Sequence, residues 1–184
     1  MLRANDARPV DLLDVEGHLA LFAGAGWDAL VADRYARAGA KRLPGWARAV
    51  TRSVPDLFRR PSVAVRADGA LVHEGPMELL VAGTTPFYGR GLKVNPGART
   101  DRGRLALRVY PGPAPALAAE AARWALKMHP RAPRIDATTV DVEVLDGTDL
   151  LVQADGDALG GRPHWHFAVR PAAVRLIGRW RPSS

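Results

Sequence analysis

Apolar and polar residues alternate along much of the chain after residue 60, and this period of two constrains the fold more than any other feature. Segments 104–110 (RLALRVY) and 139–145 (TVDVEVL) each place their apolar residues on one face. Between two shorter alternating runs, Asp68-Gly69 is typical of a β-hairpin turn. Such segments predict half-buried strands of an antiparallel sheet.

The order of the elements favours one fold class. About eight short strands are predicted, together with helices over 27–38, the basic segment that follows, and 116–128. Because the strands do not alternate regularly with helices, a doubly wound parallel sheet is disfavoured. The sequence predicts one domain, residues 1–184, that is mainly β with inserted helices (α+β), built as an antiparallel β-sandwich. The strands are predicted near 19–23, 63–66, 71–73, 77–81, 104–110, 139–145, 150–154, 165–169 and 174–177.

Charge is unevenly distributed. The net charge of +7 is carried by residues 34–60, which hold eight basic residues against Asp56 alone. The stretch 135–161 holds seven acidic residues and no Lys or Arg. One basic and one acidic segment therefore need an explanation.

The basic segment has a helical period. Apolar residues recur at three- and four-residue spacing from Leu43 to Phe58, with Arg between them, and Pro55 is expected to kink or end the helix. One interpretation is a surface that binds anionic lipid through its aromatic and basic side chains. A helix that packs on the body and exposes an arginine face is the alternative, and nucleic-acid binding is less favoured. The residues assigned to the membrane surface are Arg42, Trp46, Arg48 and Arg52.

Composition excludes several classes. Without cysteine, the chain has no disulfide scaffold, thiolate zinc site or Cys nucleophile. No apolar run approaches the roughly 20 residues of a membrane span, and the N-terminus lacks the apolar core of a signal peptide. We expect a cytoplasmic protein, peripheral to the inner face of the membrane.

Three short motifs have ordinary interpretations. Gly24-Ala25-Gly26 follows a strand and opens a helix, but no acidic strand end lies about 20 residues on, as dinucleotide binding requires. Asp146-Gly147-Thr148 is predicted to be a hairpin turn. His164 and His166 share one face of a strand, a spacing that suits zinc, but no third ligand is evident.

Asp155-Gly156-Asp157 ends a predicted strand and is the strongest chemical candidate. If both carboxylates face a cleft, their repulsion raises the pKa of one and makes it a candidate general base. A polar turn between two strands is the alternative.

Four segments in register resemble the C-terminal domain of the diacylglycerol kinase-like bacterial lipid kinases. They are 24–31 (GAGWDALV), 88–98 (YGRGLKVNPGA), 154–157 (ADGD) and 171–176 (PAAVRL), and the resemblance extends from about Pro9 to Ile177. It implies a β-sandwich with inserted helices that forms one wall of an interdomain cleft and positions a lipid. The residues that the resemblance assigns to substrate binding are Gly24, Gly26, Asp28, Tyr88, Gly89 and Gly91.

The resemblance also implies a catalytic base. In that family a D-G-E carboxylate accepts the proton of the lipid hydroxyl, and Asp157 takes the position of its Glu and Asp155 that of its Asp. Aspartate is shorter than glutamate by one methylene. The γ-phosphoryl group of ATP would then pass to the hydroxyl.

ATP and Mg²⁺ are the cofactors expected for the family, but two departures bear on them. Arg102 stands where the family has a carboxylate ligand for a structural Mg²⁺, and Asp101, the remaining metal candidate, lies one residue early. The nucleotide-binding domain of the family has no counterpart here, because the sequence starts near the joint between the two domains.

The first hypothesis is the lipid-binding and catalytic-base half of an ATP-dependent lipid kinase, inactive without a nucleotide-binding domain. Its expected partners are a lipid alcohol, an anionic membrane surface and a separate nucleotide-binding chain, and a homodimer stays open. A non-catalytic lipid-binding or regulatory module derived from the same domain is the alternative. A module that binds a polyanion such as nucleic acid is the third.

Overall fold

The alternating segments pair into two six-stranded antiparallel sheets, which confirms the predicted antiparallel β-sandwich with inserted helices. The computed structural model describes residues 7–38, 43–58 and 60–177. Sheet 1 has the order β2-β1-β12-β9-β4-β5, and sheet 2 has the order β11-β10-β3-β6-β7-β8. The strands are β1 (Ala7–Val15), β2 (His18–Ala20), β3 (Phe22–Gly26), β4 (Ser62–Ala67), β5 (Ala70–Pro76), β6 (Leu79–Gly83), β7 (Leu105–Tyr110), β8 (Ile135–Ala137), β9 (Thr139–Val144), β10 (Leu150–Ala154), β11 (Asp157–Arg162) and β12 (His164–Ile177).

The core lies between the sheets and consists of the apolar half of each alternation. From sheet 1 it takes Val140 and Val142 and the aromatic pair Trp165 and Phe167, all fully buried. Sheet 2 contributes Ala23 and Ala25 of β3, Leu105 and Leu107 of β7, and the even-numbered residues of β10. Because side chains alternate across a strand, the residues between these point to the opposite face of sheet 2.

Three α-helices are described: α1 (Trp27–Arg37), α2 (Leu43–Ser53) and α3 (Ala114–Ala125). Helix α1 contacts β10, β11 and β3, and α2 contacts α1. The aromatic and apolar residues of α3 pack in a second cluster with Leu79, Val81 and Tyr110 of sheet 2. Helices therefore cover the outer face of sheet 2. No helix in the described part of the chain is long and apolar enough to cross a membrane.

Three strands escape sequence-based prediction for physical reasons. Strand β1 has a register shift between Val10 and Leu12, which places Asp11 among the buried residues and breaks the period of two. Strand β11 contains two glycines and lies at a sheet edge, and β8 has only three residues.

Three predictions about strands differ from the structure. The segments 165–169 and 174–177, predicted as two strands, form the single strand β12. The segment 19–23 is divided at Leu21 into β2 and β3, which belong to different sheets. The Asp146 turn is not a hairpin, because β9 lies in sheet 1 and β10 in sheet 2. The Asp68-Gly69 hairpin is confirmed, since β4 and β5 pair directly.

Helix α2 ends at Ser53 and is followed by a 3₁₀ turn, Val54–Phe58, consistent with the expected effect of Pro55. Its buried face is not the apolar one, which packing on the body through the apolar period would require. The small residues Gly45, Ala49 and Ser53 are buried, whereas Trp46 is 39% exposed and Val54 46% exposed. A helix that packs through small residues leaves its larger apolar side chains at the surface.

Asp68 joins the β4–β5 turn to the start of β9. Its Oδ1 accepts hydrogen bonds from the Thr138 and Thr139 backbone N–H groups, at 2.8 and 2.9 Å, and from the Thr138 hydroxyl at 2.7 Å. These bonds lower the pKa of Asp68 from 3.8 to about 2, with the Thr138 hydroxyl as the largest cause. The ionised carboxylate therefore stabilises the folded state above its unfolded pKa, and that contribution is lost as the pH falls from 3.8 to about 2.

We expect Asp68→Asn to lower the free energy of unfolding by roughly 1 kcal/mol at neutral pH, a value discounted for the exposure of the side chain. The difference from the wild type should shrink as the pH falls from 4 to 2, as measured by urea unfolding. Glu74→Gln, in the neighbouring strand, is the control. A difference that stays constant over this pH range would contradict the assignment.

Candidate functional site

The outer face of sheet 2 carries the candidate site, beneath the first turn of α1. Gly24 and Gly26 of β3 lie toward this face, because Ala23 and Ala25, which alternate with them along the strand, lie in the core. Leu151 and Gln153 of β10 point the same way. Asp28 follows directly, since α1 begins at Trp27, the residue after β3.

Asp28, Tyr88 and Gln153 form one part-buried hydrogen-bond network. The Tyr88 hydroxyl donates to Asp28 Oδ2, and Gln153 Nε2 donates to the same oxygen at 3.1 Å. Gln153 Nε2 is also in hydrogen-bond contact with the Tyr88 hydroxyl oxygen. The three residues are separated by 60 to 125 positions in sequence, so the fold alone brings them together.

One oxygen of this network lacks a partner. Asp28 Oδ1 is buried and has no hydrogen bond in the described part of the chain. Burial raises the pKa of Asp28, although the bonds from Tyr88 and Gln153 oppose the shift. Burial and the neighbouring Asp28 charge also raise the pKa of Tyr88 well above its usual value, so Tyr88 stays a donor. A buried carboxyl with an unused acceptor is a typical feature of a ligand site.

Glycine is required at the two β3 positions that the sequence singled out. A Cβ on Gly24 would overlap Asp28 Oδ2 and the Tyr88 hydroxyl. Gly26 has φ +98°, and a Cβ there would lie 2.5 Å from the Glu78 carbonyl oxygen, which accepts a hydrogen bond from Trp27 N at 3.1 Å. Gly24 therefore leaves space for the side chains of the network, and Gly26 allows the backbone at the start of β6 to approach closely.

Gln153 connects the network to the predicted base segment. Its Oε1 accepts a hydrogen bond from Gly156 N at 2.8 Å. The Asp155 carboxylate accepts from the backbone N–H groups of Leu21 and Phe22 at 3.0–3.1 Å. Asp155 is therefore fixed against the β2–β3 junction, where its charge contributes to the raised pKa of Tyr88.

Asp157 differs from Asp155 in its surroundings. It is the first residue of β11, is exposed, and pairs in register with Ala154. Among the residues that the structure describes, its carboxylate has no hydrogen-bond partner or ion pair. The two acids that were predicted as a pair thus have different environments: Asp155 accepts backbone hydrogen bonds, and Asp157 is exposed at the start of β11.

A cleft of about 460 Å³ lies on the same face of sheet 2. Gly26 and Leu151 line it, each two residues along its strand from Gly24 and Gln153, a distance of roughly 7 Å. Its apolar lining comes from Trp27, Leu30, Pro61, Leu150 and Leu151. The volume is within the range of small-ligand sites.

Glu78 also lines this cleft. Its side chain is buried, and Oε2 has no hydrogen-bond partner within the described residues. Burial raises the pKa of Glu78, an effect that the positive charge of Arg60 reduces. The cleft therefore has an apolar part and a polar part, and the polar part consists of Asp56, Arg60, Glu78, Asp146, Thr148 and Asp149.

The other predicted substrate-binding glycines shape the segment beyond Tyr88. Gly89 and Gly91 form a 3₁₀ turn, Gly91 has φ +76°, and Gly91 N donates to the Tyr88 carbonyl at 3.0 Å. A Cβ at either position would meet nothing within 4 Å. They are not in the network, but they turn the chain beside it.

Asp101, the predicted metal candidate, is paired with an arginine. Arg99 donates to both carboxylate oxygens of Asp101, through Nε at 2.9 Å and Nη2 at 2.7 Å, and this contact lowers the pKa of Asp101. The loop is also tied by Gly103 N, which donates to buried Asp11 at 2.6 Å. Among residues 7–38, 43–58 and 60–177, no group of three His, Asp or Glu residues is arranged to hold a metal ion.

The two histidines occur together on β12, as their spacing predicts. His166 Nδ1 lies 2.7 Å from Asp141 Oδ1, and His164 Nε2 lies 3.7 Å from the same oxygen. This arrangement is an exposed hydrogen-bonded group on sheet 1, separate from the Asp28 network.

Of the predicted membrane-surface residues, Arg42 lies outside the described part. Arg48 and Arg52 are exposed on α2, with Trp46 on the same helix. Helix α2 is fixed to α1 through Ser53: its carbonyl accepts a hydrogen bond from Trp27 Nε1 at 2.7 Å, and its hydroxyl accepts one from Arg34 at 3.1 Å.

The raised pKa of Asp28 has a measurable consequence. Above its folded pKa the buried charge destabilises the folded state, and that cost disappears as the pH falls toward the unfolded value of 3.8. We expect Asp28→Asn to be more stable than the wild type at pH 7, with a difference that declines toward pH 4. Urea unfolding across this range measures it, and a difference independent of pH would refute the buried charge.

Two site residues were not identified from the sequence. Gln153 interrupts the apolar strand LLVQA at an outward position, which is the available signal for a polar contact on that face. Glu78 precedes the apolar run of β6 in the same way. Neither pattern identifies a partner, because the contacts join distant parts of the chain.

Comparison with known proteins gives matches at two levels. Two solved structures share the fold: a diacylglycerol kinase from Bacillus anthracis strain Sterne, with a TM-score of 0.66 and 18% identity, and a candidate diacylglycerol kinase from the same strain, with a TM-score of 0.64 and 18% identity. Both alignments cover 96% of this chain but only 58% and 56% of theirs. At this identity they show the fold alone, and this chain spans less than two thirds of their length.

No curated protein matches the chain. Residues 22–178 match the family described as the YegS C-terminal NAD kinase beta sandwich-like domain. This match covers most of the chain and includes the Asp28 network, the cleft and both acids of the 155–157 segment. It confirms the resemblance to the C-terminal domain of diacylglycerol kinase-like lipid kinases, and the chain belongs to the family of YegS C-terminal NAD kinase beta sandwich-like domains.

Proposed function

We propose that this domain binds a lipid alcohol and presents its hydroxyl group for phosphorylation. The observation that carries this proposal is the Asp28 carboxyl, with one buried oxygen unused, on the same sheet face as a cleft that is apolar along Trp27, Leu30 and Leu151. A molecule with a hydroxyl head and an apolar tail matches both features. Diacylglycerol-like lipids belong to this class.

The proposed position of the lipid follows from the placement of Asp28 and the cleft beside β3 and β10. The hydroxyl would donate to Asp28 Oδ1, and the first part of the tail would lie against Trp27, Leu30 and Leu151 in the cleft. Because Oδ1 is covered, we expect the hydroxyl to enter as the Tyr88 segment moves aside. The glycine turn at 89–91 gives this segment the backbone freedom to do so.

Asp157 is our choice for the general base. The hydroxyl hydrogen, held by Asp28 Oδ1 in the bound lipid, would turn to the exposed Asp157 carboxylate, which accepts the proton as the hydroxyl oxygen bonds to the γ-phosphorus of ATP, with ADP as the leaving group. Gln153 places Asp157 relative to the lipid, because its amide binds Asp28 at one end and Gly156 at the other.

The nucleotide would be held by a part that this chain does not span in its structural relatives, or by a separate nucleotide-binding chain. The contacts of Asp101 with Arg99 do not fit a structural Mg²⁺ at that position, and we derive no step through one. Exposed apolar residues of the paired ends of β1 and β12, Val174, Leu176 and Ile177, are a suitable surface for such a partner.

We also propose that α2 faces an anionic membrane at its cytoplasmic side. Its buried side is made of small residues, so Trp46 remains partly exposed beside Arg48 and Arg52, and Val54 of the 3₁₀ turn that follows is exposed as well. Partly exposed apolar side chains next to arginines are typical of a helix that lies in the lipid headgroup region.

Binding of 1,2-dioctanoylglycerol to the purified chain tests the proposal. Trp27 lines the cleft, so occupancy should change tryptophan fluorescence in a saturable way, and Trp27→Phe should remove most of that change. Leu151→Asp should weaken binding by about tenfold or more, because it buries a charge against the tail. Leu71→Asp, at an exposed leucine of β5, is the control. Equal binding by both aspartate variants would contradict the cleft assignment.

A non-catalytic lipid-binding module is the second candidate, and the backbone contacts of Asp155 favour it, since one of the two acids is occupied. The two functions differ in what Asp157 does. If the domain is half of a kinase, Asp157→Ala should abolish lipid phosphorylation when a nucleotide-binding partner and Mg·ATP are supplied, without loss of lipid binding. If it is a binding module, Asp157→Ala leaves its biological activity intact. Phosphorylation by the purified chain alone would contradict the half-enzyme hypothesis.

A further inference from the structure

A second cavity, of about 440 Å³, lies between α1 and α2 and is lined mainly by arginine. Arg34 and Arg37 come from the last turns of α1, and Arg48 and Arg52 from successive turns of α2. The remaining lining residues are Ala38 and Ala49, whose small side chains leave the space open. We call these four arginines and two alanines the arginine niche.

The charges of the niche are only half compensated. Arg34 Nη1 pairs with Asp56 at 2.8 Å, and Arg37 Nη2 pairs with Asp33 at 3.0 Å. Arg48 and Arg52 have no carboxylate partner within the part of the chain that the structure describes. Two guanidinium groups one helical turn apart are thus left to face the cavity.

The niche has a fixed frame. Arg34 Nη1 also donates to the Arg52 carbonyl oxygen at 2.5 Å and to Ser53 Oγ at 3.1 Å. These bonds fix the end of α2 against α1. Trp27 Nε1 adds a second link to Ser53. A rigid wall lowers the entropic cost of ligand binding by the two unpaired arginines.

The charge and shape select one ligand chemistry. A phosphate monoester carries close to two negative charges at neutral pH and three terminal oxygens, which matches two free guanidinium forks. A phosphodiester carries one charge and two free oxygens, so it satisfies this arrangement less well. We propose that the arginine niche binds a phosphate monoester, on a lipid headgroup or on a small soluble molecule.

This site is distinct from the proposed hydroxyl site. Asp28 and Arg34 are six residues apart on α1, which corresponds to about 9 Å along the helix axis. The niche therefore does not hold the reacting hydroxyl, and the proposal stands even if the domain does not take part in phosphorylation.

Titration of the full chain with methyl phosphate and with dimethyl phosphate, followed by isothermal calorimetry, is the first test. We expect saturable binding of the monoester and at least about tenfold weaker binding of the diester. Flotation with phosphatidylcholine vesicles that contain phosphatidic acid, or phosphatidylglycerol at equal surface charge, is the second. Stronger binding to phosphatidic acid vesicles than to methyl phosphate assigns the lipid headgroup as the source, and comparable affinities assign a soluble monoester.

The double variant Arg48→Gln/Arg52→Gln should lose about tenfold or more of the monoester affinity. Arg66→Gln/Arg131→Gln removes the same charge from exposed positions outside the niche and should retain it. All four sites are exposed, and thermal unfolding should show that both variants fold. Equal losses in the two variants, equal binding of monoester and diester, or no saturation would each overturn the proposal and assign the effect to surface charge alone.

Discussion

Gly24→Ala is expected to lower the free energy of unfolding by about 3 kcal/mol, the upper range for overpacking a buried position. The new methyl group would overlap both Asp28 Oδ2 and the Tyr88 hydroxyl. Relieving this overlap requires displacing one of them, which breaks its hydrogen bond to Gln153. The same change should abolish lipid-alcohol binding, since it displaces the carboxyl that receives the hydroxyl.

Gly89→Ala is the matched control for Gly24→Ala. A Cβ at Gly89 meets nothing within 4 Å, so its effect on stability should stay within about 0.5 kcal/mol. Urea unfolding of the two variants gives the comparison. If Gly24→Ala unfolds at the same urea concentration as Gly89→Ala, the close packing of the network around β3 is wrong.

Gln153→Leu is expected to cost about 3 kcal/mol of folding stability. The leucine fills a similar volume but removes the donor to Asp28 and Tyr88 and the acceptor for Gly156 N. Buried groups left without partners cost about 1–3 kcal/mol each. Because the Gly156 N–H loses its acceptor, we also expect faster amide hydrogen exchange at Gly156, the residue before Asp157.

Amide hydrogen exchange at Gly156 distinguishes two effects of Gln153→Leu: loss of the contact that positions the Asp157 segment, and a general loss of stability. Leu151→Gln, two residues earlier on the same face, changes polarity without removing a network bond, so exchange at Gly156 should be unchanged. If Gln153→Leu leaves the Gly156 amide as protected as in the wild type, Gln153 does not couple the lipid site to the Asp157 segment.

The sandwich could be predicted because its signal is local. Alternation assigns Leu105, Leu107, Val140 and Val142 to an inner face, and they are all fully buried in the core. Strand β1 could not be found in this way, since its bulge puts Asp11 in line with buried apolar residues. Which strands belong to which sheet was also undetermined, as the turn at Asp146 passes from one sheet to the other.

The candidate site was predictable in its parts but not in its connections. The resemblance identified Gly24, Asp28 and Tyr88, and the structure brings these three together. Gln153, which joins them to the 155–157 segment, carries no local motif. Its importance comes from contacts across 65 and 125 positions, which a pattern of neighbouring residues does not contain.

The orientation of α2 shows a different limit. If the helix packs on the body through its apolar periodicity, Trp46 and Val50 are expected on the buried face, but the helix is anchored by Gly45, Ala49 and Ser53. Close approach to α1 and the bonds from Trp27 and Arg34 to Ser53 decide the outcome. Small residues are a weak hydrophobic signal, yet they permit the shortest distance between helices.

The most direct test of the lipid-alcohol claim compares 1,2-dioctanoylglycerol with its 3-acetyl derivative, in which the hydroxyl is blocked. By equilibrium binding to the purified chain, we predict that the free alcohol binds about tenfold or more tightly, since only it can donate to Asp28 Oδ1. Asp28→Asn should remove most of this preference, and Glu143→Gln on sheet 1 should retain it. Equal affinities for the two lipids, or an undiminished preference in Asp28→Asn, would contradict the account.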